Sequence, residues 1–202
     1  MTEDNEQRHR EKMAKKKASR DKLMARKSAE GRGVTIVHTG AGKGKSTAAF
    51  GMAIRCVGHG MKVGIVQFIK GAWDTAERRV MEGFGDLVTF RAMGEGFTWE
   101  TQDRARDIAA AGRAWELASA LLADPQYRMV ILDEINVALR YEYLDVETVL
   151  AAVKARPKGQ HAVLTGRNAL PAVIEAADLV TEMTMIKHPF KDGIKAQAGV
   201  EF

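Results

Sequence analysis

One cysteine, Cys56, is all the thiol chemistry in this 202-residue chain, which excludes an intramolecular disulfide and any zinc site built on several thiolates. No run of 18 uncharged apolar residues occurs, so no transmembrane helix is expected. The N-terminus is too charged for a secretory signal, and the expected location is the cytoplasm. The five histidines are scattered without ligand spacing, and no serine–histidine pair offers a nucleophile with its base. Charge excess is missing too from most of the chain. The net +5 resides in residues 1–33, which hold eleven Lys/Arg against six acids, while the remainder holds 20 of each. A neutral body without aromatics interleaved in the basic arm argues against nucleic acid as the partner.

What remains, 46% apolar and 28% charged residues, is the composition of a globular protein with one full core. We therefore expect a basic arm over residues 1–33 and one domain over residues 34–202. The arm reads either as a solvated segment or, through Met13, Leu23 and Met24, as a helix that docks against a partner.

From Val34 onward, short β-branched runs alternate with helical stretches, the pattern of an α/β fold with helices on both faces of a mostly parallel sheet. About six strands are expected, at Val34–His38, Lys62–Ile69, Leu87–Met93, Tyr127–Asp133, His161–Thr165 and Leu179–Met185. Several are apolar almost throughout, as strands covered on both faces should be. Helices are predicted over Thr101–Ala123, with Ile108, Ala111, Trp115, Ala118 and Leu122 on its inner face, and over Asp145–Arg156. Pro125 stops the first, and Pro157 with Gly159 stops the second. Ala49, Met52, Ala53 and Cys56 share one face of a helix that follows the first strand, which places Cys56 in the core.

That first strand runs into "HTGAGKGKSTAAF", His38–Phe50, a glycine loop opening onto a helix. Glycines let successive backbone N–H groups turn inward, and the helix start adds unpaired donors and a positive dipole end. Gly40, Ala41, Gly42, Lys43, Gly44, Lys45, Ser46 and Thr47 are the expected phosphate cradle. Lys45 and Lys43 are its cations, Ser46 offers a hydroxyl to a metal, and Thr47 adds a donor. The loop is one residue short, because the usual G-x-x-x-x-G-K-[ST] spacing calls for glycine where Thr39 stands. Farther on, "MVILDE" ends a buried strand on Asp133 and Glu134, carboxylates at the edge where open α/β sheets bind ligands. With Ser46 they are the candidate ligands of Mg2+, or Mn2+ in its place, with Glu134 nearest the metal and Asp133 behind it.

Several further segments decide among reactions. "TGAGKGKSTAAFG", "VGIVQFIKG", "GFTWETQ", "VILDE", "YEYL", "ARP", "LTGR" and "KAQAGVEF" resemble, in order and spacing, the P-loop corrinoid adenosyltransferases from about Val34 to Phe202. The resemblance implies a RecA-like P-loop fold and transfer of the 5′-deoxyadenosyl group of ATP to the Co(I) of a corrinoid, with triphosphate leaving intact. In that family the triphosphate lies reversed, and the shortened loop is a candidate cause. Phe97 and Trp99 match the aromatic pair that displaces the lower axial ligand of cobalt; read from the residues alone, the alternative is an aromatic core pair, against which Gly94 and Gly96 favour a loop. The resemblance further implies a homodimer whose arm covers the neighbouring active site, and flavodoxin or reduced flavin as electron donor. Two competing readings are a RecA-like or kinase-like ATPase and a nonenzymatic corrinoid chaperone.

Overall fold

The computed structural model describes residues 3–27, 31–69, 76–93 and 103–200. The chain divides into two compact units, Met1–Gly31 and Arg32–Phe202.

The first unit is one helix, α1 (Glu3–Ala25). It is polar all round, and residues 5–27 are exposed, as expected of a helix without an apolar stripe. Glu6 and Arg10 pair across one turn at 3.4 Å.

The second unit is built on six parallel strands in the order β3-β2-β4-β5-β1-β6. They are β1 (Thr35–Thr39), β2 (Lys62–Gln67), β3 (Val88–Ala92), β4 (Tyr127–Asp133), β5 (His161–Thr165) and β6 (Leu179–Glu182). Around them run α2 (Lys45–Val57), α3 (Ala76–Glu82), α4 (Arg104–Ala123), α5 (Ile135–Arg140), α6 (Val146–Ala155) and α7 (Pro171–Glu175).

The period of two along each strand sorts the core into two layers. Ile36, Ile65, Ile131 and Val163 face α2 and α3, where they meet Ala49, Phe50, Ala53 and Met81. Their neighbours Val37, Val66, Leu132 and Leu164 face α4 to α7, meeting Ala114, Leu122, Leu139 and Val149. Helices thus cover both faces of the sheet, as the apolar strands predict. Cys56 lies in the α2 layer, and burial pushes its thiol pKa up.

The boundaries differ from expectation where the chain keeps its hydrogen bonds but leaves strand geometry. β2 ends at Gln67 although Phe68 still donates to the Asp133 carbonyl. β6 stops at Glu182, after which Met183 donates to the Thr39 carbonyl at 2.9 Å. Asp103 caps α4 by accepting from Arg106 N–H. Ile108 in the first turns of α4 is 39% exposed, because the buried stripe begins only at Ala110; Trp115 is half-buried against the core. The short helices α3, α5 and α7 had no periodic signal, being five to seven residues long.

Candidate functional site

The carboxyl ends of β1, β5 and β4 are neighbours, and every candidate residue among those described lies at the end of β4 or just after β1 or β4. Gly40–Gly44 connects β1 to α2. Gly40 has φ +94°, and a β-carbon there would stand 2.5 Å from the Met183 carbonyl oxygen. Gly42 donates its N–H to that same oxygen at 2.6 Å. The loop is thereby stitched to the chain leaving β6. Its other half opens into α2, whose first i→i+4 bond is from Ala48 N–H to the Gly44 carbonyl. The amides of Lys45, Ser46 and Thr47 precede that bond and point with the helix start.

Lys45 is 6% exposed. Its Nζ donates to the carbonyls of Gly40 (3.0 Å) and Gly42 (2.6 Å), so the ammonium sits inside its own loop. Burial pushes its pKa below the ordinary 10.5; Arg167 and Lys43 push the same way, and Glu134 and Asp133 oppose them. His38 secures the helix start from below, its Nδ1–H donating to the Lys45 carbonyl at 3.2 Å. Ala41, Lys43 and Thr47 are exposed, and Gly44 and Ser46 are half-buried.

The two carboxylates of β4 part ways. Asp133 is fully buried; Oδ2 accepts from Gln67 Nε2 (2.8 Å) and Oδ1 from the Thr165 hydroxyl (2.7 Å). Strand register explains this. Gln67 pairs with Asp133, and His38 with Thr165, so these side chains form one polar row on the α2 side of the sheet. Glu134 turns out of that row with φ 62°, in the left-handed region, and is half-buried. Such a conformation costs a glutamate about 1 kcal/mol or more. Its Oε2 would lie 3.2 Å from a β-carbon at Gly166. Asn136, fully buried, donates from Nδ2 to the Gly166 carbonyl at 3.3 Å, and its Oδ1 has no partner.

Phe97 and Trp99 lie outside the described residues. Gln67, Thr165, Arg167 and Met183 take part without having been singled out. Arg167 and Thr165 sit within "LTGR", a segment legible as a motif but not as chemistry until β5 is known to run between β1 and β4. Cavities of about 410 and 710 Å3 lie at the opposite, amino-terminal edge of the sheet, beside Lys158 and Gln160. Among the described residues no cluster of three or more His, Cys, Asp or Glu could cage a metal, and no helix is long and apolar enough to cross a membrane.

A glycine loop with a lysine ammonium seated on its carbonyls lies beside a strand that ends in two carboxylates. Comparison with known proteins names the setting. The family model for ATP:corrinoid adenosyltransferase BtuR/CobO/CobP matches residues 31–202. A corrinoid adenosyltransferase of Pseudomonas aeruginosa is 58% identical over 199 residues, covering 98% of each chain. One from a Sinorhizobium species is 59% identical over 202 residues, covering 99% of this chain and 94% of that one. The corrinoid adenosyltransferase CobA of Salmonella typhimurium is 45% identical over 198 residues, covering 98% of this chain and all of the other. The chain belongs to the ATP:corrinoid adenosyltransferase family.

Proposed function

We propose that the protein transfers the 5′-deoxyadenosyl group of ATP to the Co(I) of a corrinoid, either cobalamin or cobyrinic acid a,c-diamide. In this reaction the electron pair of Co(I) forms the cobalt–carbon bond at C5′, the C5′–O bond breaks, and triphosphate leaves with that bond's electrons. The observation that carries the reading is the family match across residues 31–202, joined to a lysine seated in a glycine loop.

Displacement at C5′ asks the protein for alignment and for neutralisation of the charge gathering on the triphosphate. Lys45 and Lys43 supply cations, and the cradle of residues 40–47 supplies backbone donors, except at Gly42, whose N–H is taken by the Met183 carbonyl. Lys45 is held ready, because its present acceptors are loop carbonyls that a phosphate oxygen outcompetes in charge. Ser46 and Glu134 would hold Mg2+, or Mn2+, with Asp133 behind them. This donor set, a hydroxyl and a carboxylate without a protein cage, suits an ion that keeps waters and binds phosphate. When bound, the ion supplies further charge neutralisation on the triphosphate. Phe97 and Trp99 are assigned to the apolar wall that removes cobalt's lower ligand before reduction.

The partners proposed are a second copy of the chain, in a homodimer, and flavodoxin or reduced flavin as donor. The composition of the basic arm supports a role at a partner surface: eleven cations against six acids in residues 1–33 would steer an acidic protein. The cytoplasm is the proposed location.

Incubation with ATP, Mg2+ and chemically reduced cobalamin tests the reaction. Adenosylcobalamin and triphosphate are the expected products, read by absorbance and chromatography. ADP and phosphate without a cobalt–carbon bond would refute it.

A further inference from the structure

Glu134 is held in a backbone conformation that glutamate does not choose, so something must hold it at both ends. At its amino end, the N–H donates to Thr165 Oγ1 at 2.9 Å. At its carboxyl end, the carbonyl accepts from Val137 N–H at 3.1 Å, the first turn of α5. Fixing both peptide planes fixes the φ and ψ between them, and hence the direction in which the Cα–Cβ bond leaves the backbone.

The Thr165 hydroxyl is suited to this because its roles are not interchangeable. It has one proton, and Asp133 Oδ1 takes it at 2.7 Å. That leaves its lone pairs for Glu134. Asp133 is held in turn, fully buried, with Oδ2 engaged by Gln67 Nε2 at 2.8 Å. The chain Gln67–Asp133–Thr165–Glu134 thus crosses β2, β4 and β5 and ends on Glu134, whose negative charge acts on Lys45. A second tie, Asn136 Nδ2 to the Gly166 carbonyl, holds α5 to the same loop at 3.3 Å. Gly166, at φ +129°, leaves room for the Glu134 carboxylate, since a β-carbon there would lie 3.2 Å from Oε2.

We infer that Thr165 is a positioning residue: its hydroxyl, oriented by Asp133, locks Glu134 so that its carboxylate meets the metal of the bound nucleotide. Asp133 then serves as anchor rather than ligand. The inference rests on the proposed reading of Glu134 as the metal-facing carboxylate.

The test uses the full chain and measures ATP binding by titration calorimetry with and without Mg2+, alongside thermal unfolding. In Thr165→Val the metal-free ATP affinity stays within about threefold of wild type, while the strengthening conferred by Mg2+ falls about tenfold or more. Thr165→Ser, which keeps the hydroxyl, restores it. Should Thr165→Val fail to fold, Thr165→Cys, a weaker donor of similar size, carries the same expectation. Glu134→Gln separates the two readings. If Glu134→Gln loses the Mg2+ effect and the folded Thr165 variants keep it, Thr165 does not position Glu134. If Glu134→Gln itself keeps the effect, Glu134 is not the metal-facing group and the inference falls with that reading.

Discussion

The carbonyl oxygen of Met183 accepts a hydrogen bond from Gly42 N–H at 2.6 Å, joining the phosphate loop to the chain that leaves the edge strand. This contact gives the missing loop residue a structural correlate. The short loop passes so near Met183 that β-carbons at Gly40 and Gly42 would lie 2.5 and 2.7 Å from its carbonyl oxygen.

Gly42→Ala therefore forces backbone against backbone, with no flexible side chain to yield. We expect a loss of about 1–3 kcal/mol in unfolding free energy and about tenfold or more in ATP affinity, measured by urea titration and calorimetry. Inserting one glycine after Gly42 relaxes the same contact. If the longer loop transfers adenosyl as well as the native one, loop length has nothing to do with triphosphate orientation.

Lys45 gives the nucleotide site a pH signature. Burial holds its pKa below 10.5 in the free protein, and a bound triphosphate raises it. Between the two values the complex holds a proton that the free protein lacks. ATP binding should take up a proton at alkaline pH, and affinity should fall as pH rises through the free-protein pKa. Calorimetry in buffers of different ionisation enthalpy detects the uptake. Its persistence in Lys45→Met would assign it elsewhere.

Arg167 follows Gly166 at the carboxyl end of β5 and depresses the Lys45 pKa more than Lys43 does, so it stands within the same field. Arg167→Ala should raise the KM for ATP about tenfold, the loss of one charge-assisted contact of roughly 1.5 kcal/mol, with little change in unfolding midpoint. Steady-state kinetics with ATP varied and reduced cobalamin saturating would read it; an unchanged KM removes Arg167 from the site.

At the other edge of the sheet, His161 Nδ1 accepts from Val34 N–H at 3.2 Å, a bond only the unprotonated nitrogen can make. Burial, then the charges of Arg128 and Arg156, push the His161 pKa below 6.5. The unfolded chain thus binds more protons between the folded pKa and 6.5. The stabilisation is complete above that window and is lost as pH falls through it, levelling off below the folded value. Urea midpoints from about pH 7.5 to about pH 5 should fall less steeply in His161→Asn, whose amide oxygen can still accept from Val34. Parallel slopes would show that His161 does not titrate on unfolding.

How much of this was legible beforehand depended on how local each feature is. Tyr127–Asp133 and His161–Thr165 stand where their apolar runs place them, because a strand buried on both faces writes itself into consecutive residues. The glycine loop and Lys45 were equally visible, the whole device lying within His38–Phe50. Thr165 and Gln67 were not. Each is 32 or 66 residues from Asp133, and neither spacing means anything until β4 is set between β2 and β5. Met183 escaped notice for a different reason: it acts through its carbonyl oxygen, which every residue possesses.

Cys56 is 8% exposed within the α2 layer, and its thiol pKa is raised by burial. A soluble disulfide or haloacetamide reagent would find this sulfur only when the sheet and α2 separate. The chain thus carries its own clock for opening. Under conditions where labelling outpaces reclosure, the rate of thiol modification reads the unfolding rate directly, without an introduced probe.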